Sequence, residues 1–466
     1  MKGEPDFLSN LRQEFADHRV WLDRLVVAGF AVAAGAAVVG FTLLADGAFE
    51  LFLALQGRWP WFTLLWTPAL TAAVVWATRR WFAAASGSGV PQVVAALDPR
   101  LEEGRRGLLV SVKLSAAKVL AVSGGLLAGL SIGRQGPSVQ VAAGIMFSAR
   151  HWLSPRSGIS ARELLVAGGA AGIAAAFNTP LGGIVFAIEE LSRRLEQRSS
   201  GLMLAAIVIA GLVAVSALGN LAYFGRIHIE AVGWRLLAPG LLVALASGLL
   251  GGLMARLLVA SLTGLPDRFC AYRRKRPVSF AALCGLAVAA IGLLTQASAL
   301  GGGHHHTREL LAGQAEPLPI VWTWLKFVAS WLSAWAGMPG GIFGPSLAIG
   351  AGIGSDVAWL IAPQHQVALI ALGMAGFLAA VTQTPITAMI IVMEMVDGYA
   401  MVLSLMACAL LASLVSRLVS RPLYPTLADL MLRQLAPPAA AGPGPAAATA
   451  ASGPHRPETA PHSPPA

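Results

Sequence analysis

The chain has 466 residues, 56% of them hydrophobic and only 12% charged, with a mean hydropathy of +0.68. Soluble domains carry roughly a quarter charged residues, so this composition excludes a soluble enzyme or binding module and indicates a polytopic membrane protein. The net charge of +10 gathers in short loops, at Arg79–Arg80, Arg105–Arg106, Arg193–Arg194 and Arg273–Arg276, which marks cytoplasmic flanks and no nucleic-acid platform.

Residues 1–24 carry mixed charge and read as an amphipathic helix along the cytoplasmic face, not a cleavable signal. A membrane domain over residues 25–435 follows. Leu25–Ala45 and Trp61–Thr78 are long enough to span, and tryptophans flank the second. GSGVP (Gly87–Pro91) and a basic stretch to Lys113 come next. An uncharged run from Val119 then meets GRQGP, Gly133–Pro137. Two glycines, a proline and an arginine make a poor helix interior but a good break between half-helices. Such a break at membrane depth must line a cavity or be covered by protein. Its freed N–H groups carry partial positive charge, so the first expectation is an anion site inside the bilayer.

Leu164–Ile188 reads as two helices broken at FNTP (Phe177–Pro180) and ends on Glu189 and Glu190. Gly201–Phe224, Leu236–Ala255 and Val278–Gly303 are further spans. GGGHHH (Gly301–His306) then opens a polar turn, since tandem histidines lack the spacing of a helical metal site. MPGGIFGPS breaks the run from Phe327 to Ser355, QTP breaks Val367–Met393, and Tyr399–Ser416 is the last long span. Lys118 and Lys326 are expected as buried charges tied to carbonyls. Residues 436–466 are a Pro/Ala-rich tail, expected to be disordered. Cys270, Cys284 and Cys408 are scattered and give neither a disulfide framework nor a zinc site. No serine, histidine and acid fall together in apolar segments, so an intramembrane hydrolase is not expected.

The two halves, roughly 25–225 and 230–435, resemble each other. GPSVQVAAG from Gly136 matches GPSLAIGAG from Gly344, and AGIAAAFNTPLGGIVFAIEE from Ala171 matches AGFLAAVTQTPITAMIIVMEM from Ala375. Pro180 and Pro385 are each followed nine residues later by an acid, Glu189 or Glu394. Paired broken helices with internal symmetry predict an inverted-repeat transporter or channel, with its site between the repeats.

GSGVP, GRQGP, GIFGP and the tyrosine of RPLYP occur in this order. Together they resemble the anion-site segments of the CLC family of chloride channels and chloride/proton antiporters, prokaryotic type, over residues 15–435. The resemblance implies an all-α inverted repeat with broken and re-entrant helices. It implies a homodimer in the bacterial inner (plasma) membrane, multi-pass with cytoplasmic termini, with one chloride pathway per subunit. No cofactor, enzymatic activity, nucleic-acid partner or nucleotide-binding CBS domain is expected. Ser88 and Tyr424 would donate hydroxyls to the anion, and Ile342 and Phe343 would donate backbone N–H groups. Gly87, Gly89, Gly133, Arg134, Gly136 and Pro137 would line the pathway. Serine at position 88 implies chloride, because nitrate-preferring relatives tend to carry proline there.

One residue departs from the pattern. Where the family mostly has glutamate, the gate position is Gln135, which has no charge to compete with chloride and no proton to exchange. Glu189 and Glu190 match inner acids that serve proton delivery in antiporters, although each also stands four residues before an arginine and would form a surface ion pair. Arg134 would raise the local potential or be held by backbone carbonyls. The expectation is passive, proton-uncoupled chloride movement with little outer pH dependence. The alternatives are an antiporter using Glu190 and, more distantly, a fluoride or other anion exporter.

Overall fold

A backbone inside lipid must satisfy its own N–H and C=O groups, which leaves helices as the economical solution for apolar runs of this length. The computed structural model of the chain bears this out; it describes residues 18–155, 157–192, 200–219, 224, 233–264, 267–312 and 320–435. Among the described residues there are eighteen α-helices, and the only strand-like pairing is the isolated bridge between Gly133 and Gly341. Seven of the described helical segments are long and apolar enough to cross a membrane.

Helix α1 (His18–Arg58) opens the fold and α2 (Thr63–Trp81) follows. The first repeat continues with α3 (Val90–Leu97), α4 (Val112–Leu127), α5 (Gln135–Ser148), α6 (Ala161–Phe177), α7 (Pro180–Phe186) and α8 (Ser200–Leu218). The second holds α9 (Leu237–Thr263), α10 (Arg268–Lys275), α11 (Pro277–Leu294), α12 (His304–Leu311), α13 (Ile320–Trp335), α14 (Phe343–Ile361), α15 (Gln366–Thr382), α16 (Pro385–Val396) and α17 (Val402–Val419). A last helix, α18 (Leu423–Leu435), carries Tyr424 back into the core.

The repeats agree in detail. α3 and α12 have 8 residues each, α4 and α13 have 16, and α6 and α15 have 17. Both breaks before a Thr-Pro pair use a left-handed residue, Asn178 at φ 58° and Gln383 at φ 59°. α6 and α15 are buried along nearly their whole length and seat the half-helices α5 and α14. Close backbone approach makes this possible: a Cβ on Gly172 would meet Ser138 O at 2.5 Å, and one on Gly350 would meet Gly373 O at 2.3 Å.

Two expectations change. Residues 18–24 do not form a separate surface helix but are the start of the 41-residue α1, whose length of about 60 Å far exceeds the ~30 Å hydrocarbon core. Residues 1–17 lie outside the described residues, as do the tail 436–466 and the loop 313–319. Instead of a polar turn, His304–His306 form the first turn of α12, which Gly303 opens at φ 78°. The repeat accounts for this: Gly301–Gly303 is the second half's counterpart of Gly87–Gly89, and each triplet leads straight into an eight-residue helix.

Candidate functional site

The two lysines show how the site is framed. Lys118 Nζ donates to Ala85 O and Gly87 O, both at 2.7 Å, and Lys326 Nζ donates to Ala299 O at 3.0 Å and Gly301 O at 2.8 Å. Each lysine is fully buried and pins the carbonyls of one glycine loop. A buried ammonium requires such partners. Between the loops, Gly133 N donates to Gly341 O at 2.8 Å and Gly341 N donates to Gly133 O at 2.7 Å. That reciprocal pair joins the two helix breaks back to back, and it brings the N-termini of α5 and α14 together at the centre.

Ser88, Gly136, Pro137, Gly341, Phe343 and Tyr424 converge there. A Cβ on Gly136 would come within 2.5 Å of Ser88 Oγ, one on Gly89 within 2.7 Å of Gly136 O, and one on Gly341 within 2.8 Å of Pro137 Cδ. These glycines are therefore demanded by contact and not only by turn geometry. Ser88 does not cap α3: the Gly89 amide donates to Gln92 Oε1 at 3.0 Å, while Gln92 Nε2 donates to Ala84 O and Ser86 O. Gln92 thus takes over the capping and leaves the Ser88 hydroxyl for the centre. Ser88 Oγ and Tyr424 Oη lie close to each other, and neither makes a well-formed hydrogen bond to the described residues.

Phe343 is buried and stacks on Tyr424, ring centroids 6.0 Å apart and planes at 20°. Phe177 and Phe186 meet it edge-on at 5.9 and 6.3 Å. This aromatic wall fixes the Tyr424 ring. The sequence marked Phe177 only as part of a break and did not mark Phe186; their meeting depends on how α6 and α7 fold onto α14.

Gln135 is the first residue of α5 and is 4% exposed. Its side chain folds back over the helix breaks: a Cβ on Gly133 would be 2.6 Å from Gln135 Oε1, and one on Gly344 would be 3.0 Å from it. That oxygen makes no hydrogen bond to the described residues. Arg134 does not rely on carbonyls alone, because its guanidinium is paired with the Asp46 carboxylate of α1.

On the other side, a cavity of about 700 Å³ is lined by Glu189, Glu190, Gln383, Arg417, Arg421 and Pro425, among others. Pro422 and Pro425 of its lining flank Tyr424 in sequence, and Glu190, 4% exposed, lies within electrostatic reach of that phenol. Both acids sit in a π-helical turn, Ala187–Ser192, so the i,i+4 reading toward Arg193 and Arg194 does not apply in its α-helical form. Those two arginines lie outside the described residues. Glu189 instead binds the N-terminus of α16, accepting from Ile386 N at 3.2 Å and Thr387 N at 2.7 Å. Glu394 returns the arrangement, accepting from Leu181 N at 3.2 Å and Gly182 N at 2.7 Å at the start of α7. The nine-residue spacing after each proline places an acid of one repeat at the helix end of the other. Glu189 is therefore engaged in structure, whereas Glu190 faces the cavity.

Comparison with known proteins agrees with this geometry. The family model "Voltage gated chloride channel" matches residues 69–417. The H(+)/Cl(-) exchange transporter ClcA of Cronobacter sakazakii is 30% identical over 397 residues, covering 80% of this chain and 82% of its own length. ClcA of Salmonella typhimurium is 31% identical over 402 residues, with coverage of 82% and 80%. Among solved structures, a slow cyanobacterial Cl-/H+ antiporter superposes with a TM-score of 0.76 at 22% identity, covering 88% of this chain and 98% of that one. A CLC-type fluoride/proton antiporter gives 0.70 at 22% identity, covering 87% and 97%, so the fold is shared across differing ions. The inverted repeat, the four glycine-rich breaks and the family match meet on one conclusion: this chain belongs to the CLC family, that of the voltage-gated chloride channels.

Proposed function

We propose that the chain carries chloride down its electrochemical gradient, with no stoichiometric exchange for protons. The observation behind this is Gln135. The residue over the paired helix N-termini is an amide, and an amide neither titrates nor competes with an anion by charge. Proton exchange through this pathway needs a group that occupies the anion's place when charged and leaves it when neutral; glutamate does so and glutamine does not. Chloride as the ion is supported by the names of the relatives and by the Ser88 and Tyr424 hydroxyls at the centre. An anion in a low-dielectric site requires several donors, since one helix end contributes only about 1 kcal/mol. The α5 and α14 ends with two hydroxyls share that load, and none binds so tightly that conduction stops.

The protein is read as a dimer in a bacterial inner membrane, with a pathway in each subunit. The basic residues before α11 and the start of α1 face the cytoplasm, so the cavity holding Glu190 is the inner mouth and Gln135 faces outward. A second reading, chloride/proton antiport, draws on the position of Glu190 between that cavity and Tyr424. The deciding experiment records chloride efflux and proton uptake together in reconstituted vesicles. Chloride flux without proton movement is expected; protons driven uphill by a chloride gradient would defeat the uncoupled reading and favour the second.

A further inference from the structure

Three helices long and apolar enough to cross a membrane end at one basic surface. α2 finishes on Arg79, Arg80 and Trp81, α9 finishes at Thr263, and α11 starts at Pro277. The eight-residue helix α10 lies between the last two and ends on Arg273, Arg274 and Lys275, with Arg276 directly after it. Arg79 lies within electrostatic reach of Arg273, which joins the end of α2 to this helix. Arg273 is half-buried, and the other cations are exposed.

This charge has no counterpart in the chain. Among the described residues none of these cations pairs with an acid, and α2, α9, α11 and α13 contain no aspartate or glutamate. Asp267, just before α10, is spent as its N-cap and accepts from Cys270 N at 2.6 Å. Like charges so close repel, and helix C-termini offset only part of that cost. Two of the arginines are nevertheless held in place. Arg273 Nη1 donates to Ser261 O at 2.9 Å, on the last turn of α9. A Cβ on Gly337 would lie 3.5 Å from Arg273 Nη2, and one on Gly264 would lie 3.1 Å from Arg274 Nη1. Both guanidinium groups thus rest against helix ends and need little further ordering to bind an anion.

Aromatic rings set the depth of the surface. Trp81 is 59% exposed and Phe269 66%, both beside the arginines. Phe269 leads inward to Trp335 at 6.3 Å, and Trp335 stacks on Trp331 at 4.9 Å. Trp331 Nε1 donates to Ser261 Oγ, whereas Trp335 Nε1 is buried with no acceptor among the described residues. Exposed aromatics mixed with arginine at the ends of spanning helices belong to the membrane–water interface, where a nucleic acid or soluble protein would not reach the rings.

We propose that this surface is a binding site for the anionic phosphodiester headgroup of a membrane phospholipid. Arg273 and Arg274 take the phosphate oxygens by charge-assisted hydrogen bonds, and Arg79 supplies further charge. Trp81 and Phe269 pack against the start of the acyl chains. Basic pockets between the ends of membrane helices suit such headgroups, each cation adding to the attraction. The site lies apart from the anion centre and stands independently of the chloride reading.

The test uses the full chain in detergent micelles doped with phosphatidylglycerol or phosphatidylcholine, with retained lipid read by native mass spectrometry and affinity by titration. Phosphatidylglycerol is expected to stay bound and phosphatidylcholine to wash away. Arg79→Gln combined with Arg274→Gln should weaken phosphatidylglycerol binding tenfold or more. Arg100→Gln combined with Arg433→Gln removes the same charge from arginines already paired with Asp98 and Asp429, and should leave the affinity unchanged. Independently of any variant, phosphatidylglycerol should raise the thermal midpoint of the unmodified chain, and inorganic phosphate should not. Equal retention of both lipids, an equal loss in both double variants, or displacement of the lipid by inorganic phosphate overturns the site.

Discussion

At the scale of single residues, the centre depends on a division of labour between neighbours. Gln92 satisfies the Gly89 amide and two carbonyls, and this leaves the Ser88 hydroxyl available. Gln92→Ala would strand those buried groups at a cost of about 1–3 kcal/mol, and should lower both the thermal midpoint and the apparent chloride affinity. Gly136→Ala would place a methyl 2.5 Å from Ser88 Oγ, so the serine must turn away. Chloride affinity is expected to fall with little loss of folded protein, which binding measured beside size-exclusion profiles would check. Ser88→Pro should raise nitrate relative to chloride in reversal potentials; an unchanged ratio would remove Ser88 from selectivity. Gln135→Glu should slow flux at neutral pH and make it acid-activated, because the new carboxylate competes when charged and withdraws when protonated.

At the scale of elements, the crossed caps bind the two repeats to each other. Glu189 holds α16 and Glu394 holds α7, each by two backbone amides. A carboxylate at a helix N-terminus contributes about 1 kcal/mol, so Glu189→Gln and Glu394→Gln should lower the thermal midpoint by similar amounts. The symmetry makes this pointed: a Glu189 that carried protons would change flux or its pH profile in a way that Glu394→Gln does not. Equal stability losses with unchanged chloride flux are expected for both. A selective transport defect in Glu189→Gln would return that residue to the pathway.

At the scale of the whole molecule, the Gly133–Gly341 pair and the two lysine-pinned loops place four helix breaks around one centre. The two halves leave one cavity lined by Glu189 and Glu190 and a smaller one lined by Asp46, Arg134, Gln135 and His304. One chain thereby holds every group of that centre. Cross-linking in detergent should yield a dimer, and a dimer of one active and one blocked subunit should keep half the flux. Loss of all flux in that mixed dimer would contradict one pathway per subunit.

Much of this architecture was legible in the sequence, because membrane helices are written in uncharged runs and their breaks in glycine and proline. The broken helices at GRQGP, GIFGP, FNTP and QTP, and the pairing of the halves, needed only that pattern. So did the lysines, since a buried cation must find carbonyls. What stayed hidden depends on side chains meeting across elements far apart in the chain. The sequence showed an acid nine residues after each proline but not that the two acids exchange helices, and it read GGGHHH as a turn because tandem histidines have no periodic signal. Helix pairing alone brought Asp46 to Arg134 and His304 beside Gln135. Local propensity fixes where a helix stops; only the packing of the inverted repeats decides which groups face each other across the gap.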